Sequence, residues 1–131
     1  MSNPLVVTGV SELVLEVADL ERAAAFYRDV LGLPIVERWE DRQAVWVMAG
    51  ARTRIGLWIP QVGIAGGRGG AHVHYAMHIA EADYDDAVGR LRGRGQDVHE
   101  EDFGDSRAAY VTDPDGHVVE LWTRDMSARS R

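Results

Sequence analysis

Glu12-Leu13-Val14-Leu15-Glu16-Val17 and His74-Tyr75-Ala76-Met77-His78-Ile79 are the two stretches on which the fold turns. In the first, Leu13, Leu15 and Val17 share one face and Glu12, Val14 and Glu16 the other. In the second, Tyr75, Met77 and Ile79 oppose His74 and His78. A period of two marks a strand buried on one side. Both stretches lead into the same succession of elements. Asp19 caps a helix expected over 19–31, with Leu20, Ala24, Tyr27 and Leu31 as its apolar stripe and Gly32 and Pro34 as stop signals. A second helix is expected over 83–94, with Tyr84, Ala87, Val88 and Leu91 inward and Gly95 at its end.

Paired strands close each half. They are expected at 44–49 and 53–59, then at 107–112 and 117–123. Asp113-Pro114-Asp115-Gly116 joins the latter pair, and Pro second with Gly fourth suits a type I turn. Short strands at 36–39 and 98–101 complete two βαβββ modules. Gly56-Leu57-Trp58 aligns with Glu120-Leu121-Trp122, and Trp46 with Tyr110. A unit seen twice is a duplication, not a solenoid. The expected architecture is α+β, a single domain over 1–131. Module one spans about 8–60 and module two about 72–124, joined by a glycine-rich linker at 61–71. Those glycines do not make a phosphate loop, because a strand and not a helix comes after them.

Alternation also sorts the chemistry. Leu13, Leu15, Val17, Tyr75, Met77, Ile79, Val119 and Leu121 are expected under the helices. Glu12, Glu16, His72, His74, His78, Val118, Glu120 and Trp122 are expected on the open face, around a cavity.

Composition narrows the function. The 131 residues are 46% hydrophobic, enough for one real core. Cysteine is absent, which removes disulfides, thiolate nucleophiles and sulfur-bound zinc. All 14 basic residues are arginine, so no lysine can form a Schiff base. A net charge of −7 disfavours nucleic acid as a partner. No apolar run reaches membrane-spanning length, and the N-terminus lacks a signal-peptide start, so a cytoplasmic protein is expected.

The stretches LVLEVADLERAAAFYRDVLGLPIV, HYAMHIAEADYDDAVGRLRGRG and AAYVTDPDGHVVELWT resemble the vicinal oxygen chelate superfamily. That group includes glyoxalases, fosfomycin-modifying enzymes, extradiol dioxygenases and bleomycin-binding proteins, and the resemblance runs from Ser11 to Thr123. It implies a cupped mixed sheet of two βαβββ modules and metal ligands at Glu12, Gly56, His74 and Glu120. Glu12 replaces the usual histidine, and Gly56 offers no donor, which disfavours glyoxalase I itself. One imidazole and two carboxylates suit a divalent metal, Zn, Ni, Mn, Fe or Co, with room at Gly56 for a substrate oxygen. Glu12 and Glu120 could instead line a solvated groove, paired with an arginine such as Arg54. His72 is a reserve ligand, whereas His78 lies about 13 Å along the strand from His74, too far to share an ion.

The resemblance also implies that Tyr110 contacts substrate oxygen, acting with Glu120 as a catalytic group. Trp46, Trp58 and Trp122 are expected to wall the cavity, with Arg54 as an anion clamp. Glu16 could move a proton. The segment His99-Glu100-Glu101-Asp102 reads as a solvated loop, and Arg90 to Arg94 as exposed cations offsetting their own helix dipole. Three functions are open: a small metal-dependent lyase, isomerase or transferase acting on a small molecule with adjacent oxygens; a metal-free protein sequestering an antibiotic or other aromatic natural product; or a non-catalytic dimer module. A homodimer is expected, since two half-barrels leave sheet edges to cover.

Overall fold

A computed structural model describes residue 6, residues 9–59 and residues 74–125. The linker 61–71 and His72 lie outside the described residues. Strands β1 (Glu12–Glu16), β2 (Ile35–Trp39), β3 (Ala44–Ala49) and β4 (Thr53–Trp58) form a first four-stranded sheet, ordered β1-β4-β3-β2. Strands β5 (His74–His78), β6 (His99–Asp102), β7 (Arg107–Thr112) and β8 (Val118–Trp122) form a second, ordered β5-β8-β7-β6. In both, the first strand runs parallel to the last and the other pairs are antiparallel. The duplication thus reaches the level of topology. Among the described residues, β1 and β5 are edge strands, and no helix is long and apolar enough to cross a membrane.

The faces fall as the alternation requires. Val17, Val45, Val47, Ile55, Leu57, Val111 and Val119 are buried in one cluster, with Leu13, Leu15, Tyr75, Met77 and Leu121 packed against it. Each such aliphatic side chain contributes about 1.5–3 kcal/mol by leaving water. The cluster draws on both modules, while a smaller one of Tyr84, Val88 and Ala109, with Ile79 and Val98 against it, lies within module two alone.

The first helix departs from the regular form expected. An α-helix, α1 (Leu20–Ala25), starts where the Asp19 carboxylate accepts from the Arg22 amide at 3.0 Å, and it continues as a π-helical turn over Phe26–Val30. The wider turn places consecutive Phe26 and Tyr27 both inward, edge to face at 5.3 Å. Gly32 ends the segment at φ +76°, where a Cβ would press on the Arg90 guanidinium. Arg90, on helix α2 (Tyr84–Gly93), donates to the Val30 carbonyl at 3.1 Å and the Asp29 carbonyl at 2.9 Å. It therefore satisfies the C-terminus of the first helix, not of its own.

The β7–β8 turn does more than reverse the chain. Gly116 N–H donates to the Asp113 carbonyl at 3.0 Å, closing the expected turn. Inside it, Asp113 Oδ1 accepts from the Asp115 and His117 amides at 2.9 and 2.8 Å, while Oδ2 accepts from Tyr27 Oη at 2.9 Å. Tyr75 Oη donates to Tyr27 Oη at 3.0 Å. Asp115 accepts from the Ala18 amide at 2.8 Å, and His117 Nε2 donates to the Glu16 carbonyl at 2.9 Å. The turn is a clasp from module two onto the end of β1 and the first helix.

A cavity of about 670 Å³ lies between the modules, lined by Leu13, Ile55, Tyr75, Met77, Leu91 and Leu121 among others. It is on the helix side of both sheets, not on the open face where the sequence placed it. A sheet of four strands is too narrow to cup a cavity alone, and among the described residues the two sheets are not joined edge to edge.

Removing the clasp donor with Tyr27→Phe should cost about 1.5–3 kcal/mol in urea unfolding, the usual worth of a hydrogen bond to a charged group. Burial also holds the Tyr27 and Tyr75 phenols above the ordinary value of 10.0, and burial and Glu100 push Tyr84 up to about 12. The unfolded chain releases these protons at a lower pH than the native state does. These phenols should therefore make stability fall as pH rises past about 10, with a shallower fall in Tyr27→Phe.

Candidate functional site

Strand register assembles one row of side chains across the open face of each sheet. In the second sheet Glu120 on β8, Tyr110 on β7 and His99 on β6 are register partners in turn, and His74 on β5 reaches Glu120 diagonally, from two residues before Ala76, the register partner of Glu120. His74 Nε2 lies 3.0 Å from Glu120 Oε1. Glu120 is buried, whereas His74 stays accessible. The Tyr110 phenol is hydrogen-bonded to Glu120, and partial burial together with that carboxylate's charge holds it above its usual range. It stays protonated at neutral pH and is therefore a donor. The His74 and His99 rings each lie 6.0 Å from the Tyr110 ring.

His99 is the residue that sequence reading missed. Its segment is the edge strand β6, as the short strand expected at 98–101 has it and not the solvated loop also read there, and its acidic neighbours alternate about the sheet: Glu101 pairs with His99 on the open side, Glu100 with Tyr84 below. The signal available was its place in the repeat, opposite Glu37.

The equivalent row in the first sheet is Gly56, Trp46 and Glu37, with Glu12 on β1 in register with Arg54 two residues before Gly56. Its chemistry is different. Trp39, Trp46 and Trp58 meet edge to face with centroids 5.1, 5.7 and 6.0 Å apart. The Arg54 guanidinium stacks on Trp46 at 3.8 Å, donates to Glu12 Oε1 from Nε at 3.1 Å and from Nη2 at 3.0 Å, and reaches Glu37 at 3.4 Å. Trp122 does not join this wall as expected. It belongs to the second sheet, where its indole donates to Ser106 at 3.2 Å, and Trp39 takes the third place because β2 pairs with β3.

Gly56 is a further correction. Its missing side chain leaves no room for a substrate oxygen, because Trp46 and Trp58 fill the space: a Cβ there would come within 2.7 Å of both. Trp46 itself is 1% exposed, a packed residue and not an open wall.

The donors can be tested against a divalent cation. His74 and Glu120 are close enough to share one ion, and an imidazole with a carboxylate suits a first-row metal. They fit as two of its ligands. Glu12 is on the other sheet in the grip of Arg54, and among the described residues no three His, Asp or Glu side chains gather to hold an ion.

Fold, duplicated rows and the His74–Glu120 pair define a protein class, and comparison agrees. The family model for the glyoxalase/bleomycin resistance protein/dioxygenase superfamily matches residues 9–121, so the chain belongs to that superfamily. Among curated proteins it is 28% identical to the glutathione transferase FosA of Serratia marcescens, covering 91% of this chain and 83% of that one. It is 31% identical to the lactoylglutathione lyase of Salmonella typhimurium, over 82% and 87% of the two chains. Among solved structures, the fosfomycin resistance protein FosX of Listeria monocytogenes, complexed with Mn(II) and 1S,2S-dihydroxypropylphosphonic acid, shares the fold with a TM-score of 0.73 at 20% identity, covering 93% of this chain and 94% of that one.

Packing at Gly56 has a measurable consequence. Gly56→Ala should cost about 1–3 kcal/mol in thermal or urea unfolding through overpacking against two indoles. Gly56→Glu, which would put a carboxylate at the position aligned with Glu120 in the repeat, should lose the fold through the same clash.

Proposed function

We propose that this chain is a metal-dependent enzyme of transferase or lyase type, acting on a small molecule with adjacent oxygens. The observation that carries the reading is the His74–Glu120 pair at 3.0 Å, beside the Tyr110 donor on an accessible face. The kinship with FosA and lactoylglutathione lyase supports the reaction classes, and the Mn(II) in the Listeria protein supports a divalent ion on this fold. His74 and Glu120 would hold the cation, and Glu12 of the partner subunit would complete the set.

That last step comes from the edges. β1 and β5 each have one neighbour in the described structure, and an open edge is a template for pairing. Laying β1 of one copy against β5 of another joins a first sheet to a second, doubles the strands and makes the cup that one chain lacks. Glu12 then stands near His74, its equivalent in the repeat. A two-fold pairing does this twice.

When bound, the metal would polarise one of two adjacent substrate oxygens as a Lewis acid. The chain's own residues do the rest. Tyr110, whose single proton rests on Glu120 in this structure, would turn to donate to a substrate oxygen that gains charge once a cation engages that carboxylate. Glu120, buried between His74 and Tyr110, fixes the direction of both. Trp39 and Trp58, braced edge to face on the buried Trp46, make that part of the first sheet rigid.

Protein purified without affinity-tag nickel should contain about one divalent ion per protomer by elemental analysis and run as a dimer in light scattering. His74→Ala should lose the metal and keep the fold and dimer. Metal-free wild-type protein that binds aromatic natural products tightly would instead identify a sequestering protein.

A further inference from the structure

Arg54 was expected to clamp a substrate anion, yet its hydrogen-bonding edge is already taken. Nε and Nη2 both point to Glu12 Oε1, Nη1 reaches Glu37, and the flat face rests on Trp46. The Trp39 ring stands 5.6 Å from the guanidinium carbon on another side. The arginine is thus held by its face as well as by its charge, and the face contact does not depend on Glu12. Stacking and ion pairing use different parts of the group.

Two cations therefore have a claim on one carboxylate. Glu12 cannot give its full charge to a metal while Arg54 donates two hydrogen bonds to the same oxygen. We infer that Arg54 is an internal counter-ion that a divalent cation must displace from Glu12, and that the displaced guanidinium, still stacked on Trp46, becomes the binding group for an oxyanion. Metal and anionic substrate would then bind in that order, because the anion site opens only when Glu12 changes partner. The inference rests on Glu12 serving as a ligand, as proposed above. Its anion half stands on the Arg54 geometry alone.

Two titrations on the purified dimer test it, and neither reads activity. In the first, Mn(II) binding is measured by calorimetry on wild type and Arg54→Gln. Loss of the competing cation should tighten Mn(II) binding about five- to tenfold. If Arg54→Gln misfolds, Arg54→Met keeps an apolar stem over Trp46 and removes the charge. Wild-type protein that binds Mn(II) with the variant no tighter would overturn the displacement and leave the metal reading standing. Mn(II) binding by neither protein would overturn both. In the second, inorganic phosphate is titrated into metal-free protein. Glu12→Gln, which loosens the grip on Arg54, should bind phosphate several-fold more tightly than wild type, and Glu12→Gln with Arg54→Gln should lose that gain. Equal phosphate binding by wild type and Glu12→Gln, or a gain that survives in the double variant, would sink the anion half.

Discussion

Asp113 is 4% exposed and carries a carboxylate into the core, where it accepts from Tyr27 and from the backbone of its own turn. A buried charge is costly unless it is hydrogen-bonded, and here two turn amides and the phenol supply three bonds. Much else depends on this arrangement. It fixes the turn that sets β8 beside β7, and it ties that turn to a helix 86 residues away. Asp115 and His117, held in the same turn, then catch the end of β1 through Ala18 and Glu16. The π-helical turn belongs to this constraint, since Tyr27 lies within it and is the residue that reaches Asp113. Arg90 closes the same region from the other side by satisfying the helix end.

With the modules locked back to back, their open faces are left as surface. Duplication gives those faces the same framework but not the same use. The set His74, Glu120, Tyr110 and His99 is polar and partly accessible, with His74 and Tyr110 both on Glu120 and His99 beside the Tyr110 ring. Its counterpart has traded the central donor for Gly56 and filled the space with Trp46 and Trp58. The trade is steric as much as chemical: those indoles can lie across the strand only because position 56 has no Cβ. Buried indole nitrogens of Trp46 and Trp58 lack partners among the described residues, a cost consistent with packing having set their placement. One module carries the reactive groups, and the other supplies shape and the Arg54–Glu12 pair.

Most of the framework was legible in the chain itself. Alternation in 12–17 and 74–79 assigned every side chain of β1 and β5 to its face, and the repeat located both helices and both hairpins. The candidates His74, Glu120 and Tyr110 were legible too, because a period of two puts cross-strand residues on a common side once the order of strands is known. What escaped was contact between elements. Trp39 replaced Trp122 in the aromatic cluster because β2, not β8, lies beside β3. His99 was hidden in an acidic run whose alternation shows only when β6 is paired.

By itself, then, the sequence determined periodicity, punctuation and the duplicated order of elements, all of which are local or self-similar properties of the chain. Tertiary structure alone decided that Asp113 clasps Tyr27, that Arg90 ends the other module's helix, and that Arg54 holds Glu12. It also decided that, among the described residues, the two sheets share no edge. The physical reason is common to all four. A side-chain period says which way a residue points, but partnership depends on register and on the packing of distant segments, where a hydrogen bond or ion pair forms only at the distance that the whole fold sets.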